Sequence, residues 1–444
     1  MLSFLVVLVL VLGLNTMVWT LVGLGRTVAR GLHDRAERDL ARRAAVAGPG
    51  DALHGPRPVQ GAPRGYRVPT TADVAVLIAA HDEELVIERT IRSAVRHLPP
   101  EQVLVVSDGS TDRTVEIARA AGAQVFDLQP NRGKAGAIAA AVEYFAVPER
   151  FEVMMLLDAD THLSDDYFAT GLAQFDTPDV VAVAGRATTI TNPRPPTLVG
   201  RLLVAYRERV YVAVQYLQKF GQAARTADVV AIVPGFASMY RTRVLRQIDI
   251  AAEGLAIEDF NMTFEVHAKR LGRVSFRPGA AIAHTQDPDT LRDYAKQVRR
   301  WNLGFWQTLR RHRFGLRRFG LATALFVFEL VTSSVMMLFL PPVLALAAVA
   351  ALLDAAGAVG DAPGHVLAVV PVSSVLLGVL LPDYLLTVVV AVVTRRPAYL
   401  LLGVLFPLLR VLDSYLCLRA LLLAFGSGSS GVWHSPTRRP ATAV

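Results

Sequence analysis

Two aspartates one residue apart stand at the end of an apolar run and could bind a metal ion. The segment LLDADTHL places Asp158 and Asp160 directly after the apolar residues 154–157. On an extended backbone, residues two apart face the same side, so both carboxylates can reach one cation. Ligation by carboxylates alone suits Mg²⁺ or Mn²⁺. Taken alone, the pair could also be a solvated loop or a helix cap, so the neighbouring motifs decide its role.

Other motifs carry residue types that suit a nucleotide and its phosphates. Asp108, in VVSDGSTD, could accept hydrogen bonds from a base or ribose, or it could cap the helix that begins near Asp112. Lys134, in NRGKAGAI, could reach a phosphate or a base, or it could lie exposed at the start of a helix. The sequence contains no P-loop, and its one G-x-G-x-x-G spacing, at 426–431, lies in the Gly/Ser-rich tail rather than between a strand and a helix, so neither mode of nucleotide binding is indicated.

Two later motifs supply further candidates for catalysis and substrate binding. AIEDFNMTFEV places Glu258 and Asp259 before an amphipathic helix, where ordinary acidic residues of a first helical turn would also stand. QVRRWNLGF contains Gln297, Arg300 and Trp301. The arginine could bind a diphosphate and the tryptophan could stack on a sugar, or both could simply mark a membrane interface.

Predicted strands and helices alternate regularly along the part of the chain that carries the first of these motifs. Strands are predicted at 74–79, 103–107, 124–128, 153–157 and 180–184, and helices at about 84–97, 112–121, 134–145 and 165–175. This alternation predicts an α/β domain with a mostly parallel sheet and right-handed crossovers. Ligands bind such sheets outside the carboxyl ends of the strands. Glu83, Asp108 and the Asp158/Asp160 pair follow strand ends, so we expect them to converge on one crevice.

The composition predicts membrane segments beside this domain. Of 444 residues, 52% are hydrophobic, and the mean hydropathy is +0.38. Residues 1–25 carry no charge, and 319–353, 365–393 and 398–425 are three further apolar stretches, each long enough to span a bilayer. The basic residues cluster beside these runs, as the positive-inside rule expects, so the net charge of +8 predicts no nucleic-acid partner. The single cysteine, Cys417, excludes an intrachain disulfide.

Five segments are predicted along the chain. They are an N-terminal transmembrane helix (1–25), a basic juxtamembrane segment and Pro/Gly-rich linker (26–71), the α/β domain (72–315), C-terminal transmembrane and interfacial helices (316–425) and a flexible tail (426–444). Basic residues from Arg26 onward, without a cleavage site, indicate an uncleaved helix and a cytoplasmic domain. Arg410, Asp413 and Arg419 make the last apolar stretch costly in hydrocarbon, so it could line a polar channel or lie in the interface.

Taken together, the motifs resemble those of membrane-embedded, processive family 2 glycosyltransferases, a group that includes cellulose, hyaluronan and poly-N-acetylglucosamine synthases. The resemblance covers about residues 72–310 and implies a Rossmann-like GT-A domain, Mg²⁺ or Mn²⁺ as cofactor and an integral plasma (inner) membrane location. The implied roles are substrate binding by Glu83, Asp108, Lys134, Gly235, Gln297 and Trp301, catalysis by Asp259 as base with Glu258 and Arg300, and metal binding by Asp158, Asp160 and His284.

The chain departs from the family pattern at several positions. Ser107 replaces the first aspartate of D-D-G, Ile257 replaces the threonine before E-D, and Gln286 stands where a glutamate is common. His81-Asp82 also differs from the usual P-A-x-N-E sequence. These changes leave the metal pair and the base in place but leave the donor sugar open.

The predicted function is therefore an inverting, processive transferase that polymerises a sugar from a UDP-sugar into a β-linked polysaccharide and passes it through its own membrane channel. UDP-N-acetylglucosamine is the first candidate donor and UDP-glucose the second. A polyprenyl-phosphate glycosyltransferase making a lipid-linked single sugar is an alternative, although the segment from Gln297 to Trp301 favours a polymerising enzyme. A non-catalytic membrane scaffold or transporter is a second alternative, which the retained acidic residues disfavour. No motif identifies an export or regulatory partner.

Overall fold

The computed structural model describes residues 13–29, 65–313, 315–357 and 379–426. Several predicted segments lie partly outside the described residues. They are the start of the first membrane helix (1–12), most of the basic segment and linker (30–64), much of the second C-terminal apolar stretch (358–378) and the tail from residue 427.

A seven-stranded sheet forms the centre of the α/β domain. Its strands are β1 (Val74–Ala80), β2 (Val103–Asp108), β3 (Gln124–Leu128), β4 (Val153–Asp158), β6 (Val180–Val183), β8 (Ala237–Arg241) and β9 (Arg273–Ser275). The order is β3-β2-β1-β4-β8-β6-β9, and β8 alone runs antiparallel to its neighbours. A smaller sheet, in the order β5-β10-β7, contains β5 (His162–Leu163), β7 (Arg186–Thr189) and β10 (Ile282–Thr285). The predicted mostly parallel sheet is confirmed, whereas β8, β9 and the small sheet were not predicted.

The helices have the following bounds. In chain order they are α1 (14–29), α2 (Ile87–Val95), α3 (Thr114–Ala120), α4 (Gly133–Tyr144), α5 (Val147–Arg150), α6 (Tyr167–Leu172), α7 (Leu198–Val212), α8 (Phe220–Gln222), α9 (Thr242–Leu245), α10 (Glu258–Ala268), α11 (Leu291–Arg311), α12 (Arg318–Ala355), α13 (Leu381–Thr394), α14 (Ala398–Leu402) and α15 (Phe406–Gly426). A π-helix, Ala213–Lys219, joins α7 to α8. Short 3₁₀ turns cover Thr71–Asp73, Pro100–Gln102 and Gly403–Leu405.

Apolar cores on both faces of the large sheet hold these layers together. Successive residues of β1 alternate between the cores, since Ile78 lies with Ile91 of α2 on one face and Leu77 with Ile138 of α4 on the other. Every residue of β1 is buried. A strand buried on both faces is expected to be a continuous apolar run, as β1 is. The polar residues that follow it lie beyond its carboxyl end.

Two helices are long and apolar enough to cross a membrane, over Arg318–Leu353 and Ala398–Gly426, while α13 is apolar but shorter. Two of the three charges of the last stretch, Arg410 and Asp413, have partners within the protein. Arg410 contacts Asp383 of α13 at 2.6 Å, and Asp413 accepts hydrogen bonds from the hydroxyls of Tyr206 and Tyr294. Pairing of this kind lowers the cost of burying charge. Whether the stretch lines a channel or lies in the interface stays a prediction.

Candidate active site

The carboxyl ends of β1, β2 and β4 meet at one edge of the large sheet. In the strand register, Ser107 lies opposite Ala80, and Asp158 lies opposite Ala79. Asp108 is the last residue of β2 and Asp158 the last of β4. The predicted convergence of these residues at one edge follows directly from the parallel order β2-β1-β4.

Lys134 joins three separate motifs at this edge. Its Nζ lies 2.7 Å from Asp158 Oδ1 and 3.0 Å from Glu258 Oε1. Lys134 stands in the first turn of α4 and Glu258 begins α10, so the contact ties both helices to the end of β4. Burial acts on Lys134 most strongly and favours the neutral amine, but the Asp158 and Glu258 carboxylates outweigh it and raise the pKa of the ammonium. Lys134 is therefore a permanent cation of the site.

Asp259 follows Glu258 in the first turn of α10 and is held by backbone donors. Its Oδ1 accepts a hydrogen bond from its neighbour Phe260 N at 2.7 Å, and its Oδ2 accepts one from Gly235 N at 3.3 Å. Burial and then the Glu258 charge raise the pKa of Asp259 to about 6. A carboxylate with a pKa in this range is ionised at neutral pH yet basic enough to accept a proton during a reaction.

Gly235 lies against this cluster, as the sequence predicted for a loop near the substrate. A Cβ placed on Gly235 would come within 3.1 Å of Glu258 Oε1 and 3.6 Å of Lys134 Nζ. Any other residue would therefore press on the carboxylate that holds Lys134. The absence of a side chain lets the backbone approach Asp259 closely enough to donate its N–H.

Asp108 forms the floor of the crevice on the β2 side. The residue is fully buried, and its Oδ1 accepts a hydrogen bond from Arg132 N at 2.7 Å. Its Oδ2 is buried without a hydrogen-bond partner among the described residues. Burial raises the pKa of this carboxyl. Since buried polar atoms in native proteins are nearly always hydrogen-bonded, this oxygen suits an N–H or O–H donor of a ligand.

The His81-Asp82-Glu83 turn lies beside Asp108. His81 Nδ1 is 2.7 Å from the Asp108 carbonyl oxygen. Asp82 has a φ of +51°, in the left-handed region. The buried Glu83 donates its backbone N–H to Thr114 Oγ1 at 2.8 Å. The turn is thus fixed to the loop and helix that follow β2, and Glu83 lies inside the protein, next to the predicted nucleotide site.

The residues predicted to bind a metal ion are brought together only in part. Asp160 is 6% exposed, and Asp158 keeps a third of its side chain exposed while one oxygen contacts Lys134. In the part of the chain that the structure describes, no three His, Cys, Asp or Glu side chains are close enough to bind one ion. His284 lies in the small sheet, paired with His162 of β5, so its role as a further ligand is not supported by such a cluster. Two carboxylates fit a hard divalent cation whose remaining positions stay open to phosphate and water oxygens.

Gln297 and Trp301 lie on α11 and meet an arginine that the sequence analysis did not single out. Arg207, on α7, donates from Nη2 to Gln297 Oε1 at 2.9 Å, and its guanidinium lies 4.5 Å from the centre of a Trp301 ring. Arg207 also lies 3.5 Å from Asp287, another residue not singled out. Arg300, on the same helix, is exposed. Charged residues in the middle of the largely apolar segment LLVAYRERVYV were the signal that could have identified Arg207.

Comparison with known proteins assigns the domain that carries this site. Residues 75–249 match the model of the family described as Glycosyl transferase family 2. The chain carries a family 2 glycosyltransferase domain. The match covers the segments of Asp108, Lys134 and the Asp158/Asp160 pair. The predicted relationship to family 2 glycosyltransferases is thereby confirmed over these residues, and with it the GT-A fold, whereas processive synthesis stays a prediction.

Two curated relatives and one solved structure give the range of similarity. The chain is 23% identical over 260 residues to poly-beta-1,6-N-acetyl-D-glucosamine synthase of Staphylococcus epidermidis, covering 55% of this chain and 59% of that protein. It is 24% identical over 264 residues to the synthase of the same name from Staphylococcus aureus strain COL, with the same coverage. The chain thus spans less than two thirds of these relatives. A mannosyltransferase from Pyrobaculum calidifontis, solved with GDP-Man and Mn²⁺, is 18% identical with a TM-score of 0.45, covering 88% of this chain and 99% of that one.

Proposed function

We propose that this chain is an inverting, metal-dependent transferase that moves a sugar from a UDP-sugar to a hydroxyl group of a growing glycan and repeats the transfer to build a β-linked polysaccharide. The observation that carries the proposal is the cluster in which Lys134 bridges Asp158 and Glu258 beside Asp259. It joins a cation-binding carboxylate, a fixed positive charge and a candidate base from three motifs at one sheet edge.

Asp259 is the base of the proposed reaction. Its carboxylate removes the proton of the acceptor hydroxyl while that oxygen attacks the anomeric carbon and the bond from that carbon to the diphosphate breaks. A single displacement of this kind inverts the anomeric configuration. The N–H groups of Gly235 and Phe260 orient the carboxylate. A base positioned in this way contributes about 10²- to 10⁴-fold to the rate.

In this proposal, the residues around Asp108 and the Asp158/Asp160 pair bind the donor. The unpartnered Oδ2 of Asp108 accepts a hydrogen bond from the nucleoside, with Glu83 supporting the adjacent turn. Asp158 and Asp160 would hold Mg²⁺ or Mn²⁺, which would supply Lewis-acid stabilisation of the diphosphate. Lys134 keeps the first of these carboxylates oriented, and the exposed Arg300 is available to the leaving diphosphate.

Acceptor binding and membrane location complete the proposal. Gln297 and Trp301 lie on α11, which leads to the first candidate span, α12. We place the chain in the inner membrane with its catalytic domain in the cytoplasm and its product passing among the C-terminal helices. The similarity to poly-beta-1,6-N-acetyl-D-glucosamine synthases supports UDP-N-acetylglucosamine as first candidate donor, before UDP-glucose.

The test is incorporation of labelled sugar by the purified full chain from a panel of UDP-sugars with Mg²⁺ or Mn²⁺. Asp259→Asn removes the base, and Glu265→Gln provides a matched control on the same helix, α10. The expected result is a ladder or high-mass polymer that disappears in Asp259→Asn and persists in Glu265→Gln.

Other products would change the proposal in defined ways. A lipid-extractable product with a single sugar would replace it with a polyprenyl-phosphate transferase. Absence of turnover with every donor would favour the non-catalytic alternative. Equal activity of Asp259→Asn and the wild type would contradict the assignment of the base while leaving the family intact.

A further inference from the structure

Four consecutive residues of α7 each contact a different part of the C-terminal half. The partners are Asp413 on α15 for Tyr206, Gln297 on α11 for Arg207, Arg396 after α13 for Glu208 and Asp383 on α13 for Arg209. All four α7 residues are buried. Of these four polar contacts, that of Arg207 reaches the predicted acceptor-binding segment, whereas that of Arg209 reaches α13.

Arg207 makes two kinds of contact that only a guanidinium can combine. The planar group lies 4.5 Å from a Trp301 ring centre, within the range of a cation–π interaction, while its Nη2 donates to Gln297 at 2.9 Å. A lysine ammonium carries the same charge but cannot stack as a plane and donate sideways at once. Arg207 is 4% exposed, so these contacts are screened little by solvent.

A second pair of residues fixes the guanidinium in place. Asp287 Oδ1 lies 3.5 Å from Arg207 Nε and accepts a hydrogen bond from the Tyr211 hydroxyl at 2.8 Å. Tyr211 also lies within electrostatic range of the metal pair: burial and the Asp287 carboxylate raise the pKa of its hydroxyl, and Asp160 adds to that shift. The chain of contacts therefore runs from Tyr211 through Asp287 to Arg207.

We propose that Arg207 is a positioning residue that holds Trp301 and Gln297 for the acceptor sugar, with Asp287 and Tyr211 fixing its guanidinium. This inference rests on the proposed transfer reaction. Trp301 braced from one side offers its opposite face to a sugar ring. Without the Arg207 guanidinium, the Trp301 indole has more rotational freedom, and this freedom must be lost each time an acceptor binds. Water then competes better with the acceptor for the activated donor.

The experiment compares Arg207→Lys with Arg209→Lys, which alters an equally buried arginine two residues away. For each purified full-length variant, UDP release and sugar incorporation are measured in parallel. A merely structural defect lowers both rates by the same factor. Loss of acceptor positioning lowers incorporation more than UDP release and raises the acceptor KM, by about 10- to 100-fold, with the donor KM unchanged. Tyr211→Phe, which removes only the hydroxyl bound to Asp287, should show a smaller change in the same direction.

The control arms separate this inference from the proposed function. If the wild type transfers sugar but Arg207→Lys and Arg209→Lys keep the same ratio of UDP release to incorporation, the inference is overturned and the proposed function stands. Fluorine NMR of the fluorotryptophan-labelled chain gives a readout that does not depend on activity, with the Trp301 resonance assigned from Trp301→Phe. That resonance should move in Arg207→Lys and stay in Arg209→Lys. An unmoved resonance overturns the inference even if no donor is turned over.

Discussion

Replacing Lys134 by methionine tests the ion cluster directly. The substitution removes a cation that lies 2.7 Å from Asp158 and 3.0 Å from Glu258 and leaves two carboxylates beside Asp259 without their shared partner. At an effective dielectric constant of about 20, each lost attraction is worth about 6 kcal/mol before solvation is counted. Removing one partner of a buried ion pair costs about 3 to 5 kcal/mol in net stability. Because Asp158 is 33% exposed, we expect the lower end of that range.

The loss should depend on pH in a defined direction. The folded-state pKa of Lys134 is raised, so the wild-type stabilisation is present throughout the neutral range and is lost only as the pH rises above the ordinary lysine pKa. On the acid side, Asp259, whose pKa is raised to about 6, becomes protonated, and this removes part of the repulsion that the variant suffers. The gap in stability between wild type and Lys134→Met should therefore be largest near pH 8 and smaller near pH 5.

Thermal unfolding of the full chain in detergent, followed by far-ultraviolet circular dichroism, measures this gap at both pH values. Lys296→Met is the control, because its pair with Asp293 is 3.9 Å long and the lysine is 65% exposed. Pairs of this kind contribute about 1 kcal/mol or less. Equal melting temperatures for Lys134→Met and Lys296→Met would refute the assignment of Lys134 as the structural cation of the site. So would a gap that does not change with pH.

Three further outcomes follow from the site. Transfer by the wild type should fall as the pH decreases through about 6, because Asp259 becomes protonated; a pH profile of kcat/KM with an acidic limb near pH 4 would contradict this. Asp160→Asn should raise the Mn²⁺ concentration for half-maximal activity by at least about tenfold, and an unchanged metal titration would remove Asp160 from the metal site. Lys219→Met should stabilise the fold at pH 7 by up to about 3 kcal/mol, because burial lowers the pKa of this lysine to about 8 and the cost of its charge is fully present below that pH. Melting temperatures at pH 7 and pH 10 check this, since the stabilisation should shrink as the lysine loses its proton in both states.

The local pattern of the sequence was sufficient for most of the sheet. The strand 124–128 has the predicted bounds, and the observed helix Gly133–Tyr144 differs from the predicted one by a single residue at each end. Both segments are bounded by turn residues, with Gly122 before the strand and Pro130-Asn131 between the strand and the helix. The strand Ala237–Arg241 was missed because it is short and antiparallel, and it contains Ser238 and Arg241, whose burial depends on tertiary partners. Sequence patterns carry little information about such strands.

The same distinction applies to the site: local motifs predicted some of its residues, and contacts between residues distant in sequence determine the rest. Motifs identified Lys134, Asp158, Glu258 and Asp259, because their spacing relative to strand and helix ends is local. That the lysine binds two of these acids across 24 and 124 positions of sequence is a property of the strand order. Arg207 was missed for the same reason, because its partners lie on α11, far along the chain. The pattern of a single helix cannot show them.

The charge balance of the site explains why a strand should end in two aspartates. Asp158, Asp160, Glu258 and Asp259 place up to four negative charges at one sheet edge, and Lys134 binds two of them, Asp158 and Glu258. Burial, and after it the charge of Glu258, raises the pKa of Asp259. A nucleotide diphosphate is itself an anion, so it would be repelled from this edge unless a divalent cation arrived before it or with it. In the proposed reaction, Glu258 thus contributes twice: its charge raises the pKa of the base Asp259, and it belongs to the acidic group that makes donor binding depend on the metal.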